Sequence, residues 1–169
     1  MGESSLYETD ILAWSEQQSA VLRRLKERRD LPNELDLENV ADEVEDVGRS
    51  ELHAVESLLL NILVHLILLW AEPDSSVVRG WVAEIAAWNV MVARRITPSM
   101  RAKIDLSSLW QDATKVTAAK LVGSADGTRF ESRLSPLPCP FLLDDLLNRN
   151  LDPIALIPAR SLPSLRGGA

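Results

Sequence analysis

The side chains best suited to chemistry lie between residues 38 and 65. Glu45, Arg49, Glu51 and His65 are of types that transfer protons or hold charged ligands. Glu38, Asp42 and Glu45 follow at four- and three-residue intervals. Drawn as a helix they share an arc of ~60° with Arg49, and Asp46 sits at its edge. Carboxylates so grouped could hold magnesium or calcium through oxygen, which makes Glu38, Asp42, Glu45 and Asp46 the candidate metal ligands. Nothing in the stretch resembles an EF-hand loop. A ferritin-like di-iron centre needs two Glu-x-x-His pairs. The chain has two histidines and offers the reverse order once, as His53-x-x-Glu56. Zinc-binding histidine sets, Gly-rich phosphate loops and nucleophile elbows are missing. Cys139 lies between two prolines with no adjacent base, which suits a structural thiol. No cofactor is expected.

The plain alternative is that the acids are the wet face of a helix. Carboxylates near a helix N-terminus gain ~0.3–1 kcal/mol each from its dipole, and Arg49 can pair with Glu45 four residues earlier. On the opposite side of the wheel lie Val40, Val44, Val47, Val55, Leu58 and Ile62. Glu51 falls on that apolar side. It therefore needs a partner, such as an arginine from another helix, or a bend at Gly48 that exposes it. His65 and Asn61 stand four apart in the apolar run. That spacing suits a core histidine bonded to backbone or to Asn61.

The elements that position these groups read as helices. Ile11, Trp14, Gln18, Val21, Leu22 and Leu25 keep helical spacing after a Thr9 cap. Asp36 can cap a second helix that runs to Trp70, ~50 Å if unbroken. A third helix fits residues 75–96, stopped at Thr97-Pro98-Ser99. A fourth fits 105–122, capped by Asp105, with Leu106, Leu109, Trp110, Ala113, Val116 and Leu121 inward and Gly123 closing it. Residues 123–140 read as a loop, 141–148 as a short helix, and 154–169 as a mobile tail. The five tryptophans, spread over four helices, read as core anchors. The expected fold is all-α: a single-domain bundle over residues 1–153, of four main helices plus a short C-terminal one.

Charge and composition narrow the class. The net charge is −7. Residues 30–56 hold ten acids and one base, while the flanking regions are near balance. Such a chain lacks the basic footprint of a nucleic-acid binder but suits a basic protein partner or a cation. The longest apolar run, Leu58–Trp70, is 13 residues, short of the ~20 that a membrane span needs. One cysteine builds no disulfide framework, and the N-terminus has no signal-peptide pattern. A cytoplasmic setting is expected, with no membrane partner.

Several motifs then stand in an ordered succession. They are YETDILAW (7–14), LDLENVADEVEDVGRSE (35–51), ESLLLNILVHLILLW (56–70), Gly80-Trp81 and PLPCPFLLDDLLNRNLDP (136–153). Together they resemble the family called "domain of unknown function 29", uncharacterised all-helical proteins of proteobacteria and cyanobacteria. The matching positions are Tyr7, Asp10, Trp14, Glu43, Glu45, Gly48, Arg49, Glu51, Ser57, His65, Trp70, Trp81, Cys139 and Pro140. Asp42, Leu69 and Gly80 depart from the pattern, and the RRLKERRDLPN connection is long for it. The resemblance implies an all-helical domain and assigns no activity. With no complete catalytic set in the chain, the expected function is a non-enzymatic binding or assembly module acting through a protein partner or a homo-oligomer. The rival is an enzyme or divalent-metal-binding protein using the carboxylates and His65 of the central helix.

Overall fold

Capping side chains set where most of the helices begin. The computed structural model describes residues 5–28, 31–32, 34–121 and 137–159, and every regular element among them is a helix. A single turn, α1 (Leu6–Thr9), precedes α2 (Ile11–Leu25). The cap of α2 is Asp10, not the expected Thr9. The Thr9 hydroxyl is turned back to the Ser5 carbonyl, and the Asp10 carboxylate accepts from Ala13 N at 3.1 Å. Asp36 accepts from Asn39 N at the start of α3 (Leu37–Ala71), which runs through Gly48 without interruption. The helix α4 (Val78–Arg95) follows.

Thr97-Pro98-Ser99 both stops α4 and starts α5 (Pro98–Lys103), a helix missing from the sequence reading. Proline is at ease in a first turn, where its absent N–H is not missed, and the Thr97 hydroxyl accepts from Met100 N. Asp105 accepts from Ser107 N and Ser108 N to open α6 (Leu106–Lys120). Leu143–Leu147 forms α7, and Pro153–Ala159 forms α8 behind an Asp152 cap. The last helix occupies the start of the stretch expected to be a mobile tail; residues 160–169 lie outside the described residues. So do Gly123 and most of the loop expected at 123–140.

The chain gathers into two compact units, Met1–Val55 with Arg95–Ile104, and Glu56–Arg94 with Asp105–Ala169. The second unit holds the larger apolar core. Leu59, Ile62, Leu63, Leu66 and Ile67 of α3, Ile85 of α4, Trp110 of α6, Phe141, and Leu146 of α7 are all fully buried there. By length and composition α3 could cross a membrane, but 56% of its most apolar window is buried inside the protein. Two polar side chains of this core donate to backbone carbonyls. Asn89 Nδ2 donates to the Leu146 carbonyl at 2.6 Å, and Trp110 Nε1 donates to the Leu137 carbonyl at 3.0 Å. On α6 the inward face takes Thr114 and Thr117, whose hydroxyls bond to carbonyls one turn back, while Val116 faces solvent.

In the first unit, α2 meets α3 through small residues. The buried positions on this half of α3 are Ala41, Gly48 and Val55, spaced by seven. Those of α2 are Leu12, Ser15 and Ser19. A Cβ placed on Gly48 would stand 2.0 Å from Ser15 Oγ and 2.9 Å from Leu12 Cα, so the backbones meet where only glycine fits. Gly48 is thus a contact point rather than the expected bend. Gly48→Ala is predicted to destabilise by about 2 kcal/mol, because overpacking costs more than the ~1 kcal/mol of helix propensity it returns. Adding Ser15→Ala recovers part of the loss, since the Leu12 backbone remains in the way. Urea melts check this, and a Gly48→Ala variant as stable as the parent contradicts the close approach.

Candidate functional site

The carboxylate stripe is exposed, but it does not face water alone. Arg23 Nη2 lies 2.7 Å from Asp42 Oδ1 and 2.6 Å from Glu45 Oε2. Lys26 Nζ lies 2.6 Å from Glu38 Oε2. Arg49 reaches Glu45 at 3.1 Å and Asp46 at 2.7 Å. The order of these pairs shows α2 running antiparallel to α3: residue 26 meets 38, 23 meets 42 and 45, and 15 meets 48. Hydrogen bonds from Arg23 and then from Arg49 hold the Glu45 carboxyl below its ordinary range. Hydrogen bonds to Asp42 and then to Glu45 raise Arg23, and the bond to Glu38 raises Lys26. Every one of the four candidate metal ligands therefore already has a cation. Among the described residues no three His, Cys, Asp or Glu side chains gather as a metal-ligand set.

Each remaining candidate is held in a separate pairing. Glu51, placed by the wheel on the apolar side, is half-buried and meets Arg95 at the end of α4, 3.3 Å away. His65 is buried. Its Nδ1 is 3.0 Å from the Asn61 carbonyl oxygen, its Nε2 is 2.9 Å from Glu84 Oε2, and its ring stands edge-on to Trp88. The backbone of Asn61 is the partner, and the Asn61 residue itself is exposed. A carbonyl can only accept, so Nδ1 carries the hydrogen; Nε2 donates to Glu84 when the ring is protonated. Nδ1 is turned to the carbonyl, and Glu84 stands directly against Nε2. Glu45 and Arg49 thus touch each other, while Glu51 and His65 belong to other pairs.

Asp10 was not singled out as a candidate and turns out to be a junction. It is 7% exposed. Besides capping α2, it accepts from Thr97 Oγ1 at 2.9 Å, from Ser99 N at 3.0 Å and from the Ser99 hydroxyl. One carboxylate therefore holds the N-termini of α2 and α5. Burial pushes its pKa up, but the Ser99 side chain and backbone, Ala13 and Thr97 together bring it below the ordinary value. The same motif places Tyr7 edge-on to Trp14, ring centroids 4.8 Å apart. A second link between these elements is the Glu16–Lys103 ion pair. Cys139 is half-buried, with Sγ 3.5 Å from the Phe141 carbonyl. Burial raises its pKa, Asp145 adds to that, and it stays a thiol.

What remains is a face left open by the described residues of the unit. Val40 is 39% exposed, Val47 45% and Leu35 44%. With Val44, the two α3 valines line an open apolar groove bordered by Asp36, Asn39 and Glu43. Glu43 has no ion pair among the described residues. The sequence reading placed Val40 and Val47 inward, but the small-residue seam of Ala41 and Gly48 occupies that role.

Asp10→Ala is expected to cost about 2–4 kcal/mol, the sum of a lost cap and of hydrogen bonds to a buried charge. Asp10→Asn keeps a capping oxygen and removes the charge. Because the native pKa is lowered, the stability owed to the charge is complete above the ordinary value of 3.8 and is lost as pH falls below it. Urea melts at pH 7 and pH 3 should show the gap between wild type and Asp10→Asn closing at the lower pH; a constant gap contradicts the assignment. His65→Leu should change stability by no more than ~1–2 kcal/mol, because exposed Glu84 returns to water and the Asn61 carbonyl keeps its helix. A thermal melt decides it, and a loss well above that range would mean that the imidazole holds more than these two groups.

The fold has a solved counterpart. An alpha-helical protein of unknown function from Rhodospirillum rubrum, known from its crystal structure, is 34% identical with a TM-score of 0.77. That match covers 95% of this chain and 100% of the other. No protein of curated function matches the sequence. The family model of the domain of unknown function DUF29 matches residues 6–151, and with most of its length so matched, the chain belongs to the DUF29 family.

Proposed function

We propose that this protein is a non-enzymatic protein-binding module, and that the valine face of α3 is its contact surface. The observation that carries the reading is the exposed Val40 and Val47 beside Glu43, which has no ion pair among the described residues. Neighbouring apolar side chains left in water favour burial by a partner, and a rim of carboxylates selects one that brings basic side chains. The groups that could have served catalysis are spent in pairs that hold helices together. A divalent cation at Glu38, Asp42, Glu45 and Asp46 would have to displace Arg23, Lys26 and Arg49 first. The acidic segment disfavours nucleic acid, and the burial of the α3 window disfavours a membrane. A lone protonated thiol suits the cytoplasm.

Photo-crosslinking in the native cell tests the surface. A photoreactive amino acid at Val40 should give discrete protein adducts. Those adducts should disappear with Val47→Asp and weaken with Glu43→Lys, while the same probe at exposed Ala119 of α6 gives none of them. Identical adducts from both positions, or none from Val40, would refute the proposed face.

A further inference from the structure

A second exposed stripe matches the first in spacing and opposes it in charge. On α3, Asp36, Val40, Val44, Val47 and Glu51 occur at intervals of four, four, three and four residues. On α4, Arg79, Ala83, Ala87, Val90 and Arg94 follow the same intervals. Positions so spaced lie on one side of a helix, and each stripe spans ~22 Å from charge to charge. All five α4 residues are exposed. Arg79 and Arg94 have no ion pair among the described residues, and beside Gly80 there is open space. One helix face is therefore apolar between two carboxylates, of which Glu51 also holds Arg95 of its own copy, and the other is apolar between two guanidinium groups.

We infer that the α3 valine face docks on the α4 alanine–valine face of a second copy of this chain, head to tail. The inference rests on the binding role proposed for the valine face and names its occupant. Charge decides between the possible pairings. Two α3 faces brought together would set Asp36, Glu43 and Glu51 against their own copies. Two α4 faces would do the same with Arg79 and Arg94. Only the mixed pairing puts carboxylates on guanidinium groups at both ends, with aliphatic side chains between. Equal intervals allow this whichever way the helices run. Such a contact is heterologous. Each copy keeps one free face of each kind, so association continues into a ring or an open chain. The end charges make it weaker at high salt.

Two double variants of the full chain test this, Val40→Asp/Val47→Asp for the α3 face and Arg79→Glu/Arg94→Glu for the α4 face. All four side chains are exposed, so melts should match wild type and show that both variants fold. In sedimentation and light scattering, wild type should rise with concentration above its monomer mass of 18.7 kDa. Each variant alone should stay at the monomer mass. Their equimolar mixture should form a 1:1 dimer and no larger species, because each supplies the face the other lacks. The inference is overturned by a wild type that stays monomeric, by an Arg79→Glu/Arg94→Glu variant that associates like wild type, or by a mixture that stays monomeric. Crosslinks from Val40 to a different protein, together with a monomeric wild type, would leave the binding role standing and remove only the second copy as its occupant.

Discussion

The first unit depends on how closely α2 can lie against α3. Gly48 permits that approach: it offers no side chain where Ser15 and the Leu12 backbone pass. Ser15 and Ser19 can be buried in the seam because their hydroxyls bond to carbonyls of their own helix, Leu12 and Glu16. Once α2 lies there antiparallel, its basic last turn falls beside the acidic first turns of α3. The N-terminal end of α2 comes to the start of α5, and Asp10 joins the two. The valines of α3, on a different side of the helix, are left in water.

The charged groups divide by burial into two kinds. The Arg23, Lys26 and Arg49 pairs are exposed, and such pairs individually add little to stability. Their value lies in direction, since acids along one helix and bases along the other favour the antiparallel register over its reverse. Asp10 is buried and accepts several hydrogen bonds, so its loss would strand donors from two helices. His65 is intermediate, with a buried ring bridging a backbone carbonyl and a carboxylate that still touches solvent. None of these arrangements needs substrate to explain it. Among the described residues, nothing accounts for the valine face or for the arginine-flanked face of α4.

Much of the helical architecture was legible in the sequence because large apolar residues recur with helical period along α3, α4 and α6. Asp36 and Asp105 announced their helices by ordinary capping chemistry. Glu51 announced its need of a partner by standing among valines, and Arg95 answers it. The seam between α2 and α3 was not legible. It is built from glycine, alanine and serine, and a search for apolar periodicity passes over them in favour of Val40, Val44 and Val47. The Arg23 and Lys26 pairs escaped for a related reason: they join residues 12 to 22 apart, visible only once α2 and α3 are known to be antiparallel. Asp10 was passed over in favour of Thr9 as the cap, although the Tyr7-Asp10-Trp14 motif already marked the position. Thr97-Pro98-Ser99 carries the signals of both a stop and a start, and only the stop was read.

The central claim is that α2 crosses α3 at Gly48, which spends the acids internally and leaves the valines free. Nuclear Overhauser spectroscopy on the full chain tests it most directly. The account predicts cross-peaks from the Gly48 Hα protons to the Ser15 β protons and to a Leu12 methyl. A spectrum in which Gly48 meets no proton of α2 would contradict the account at its base.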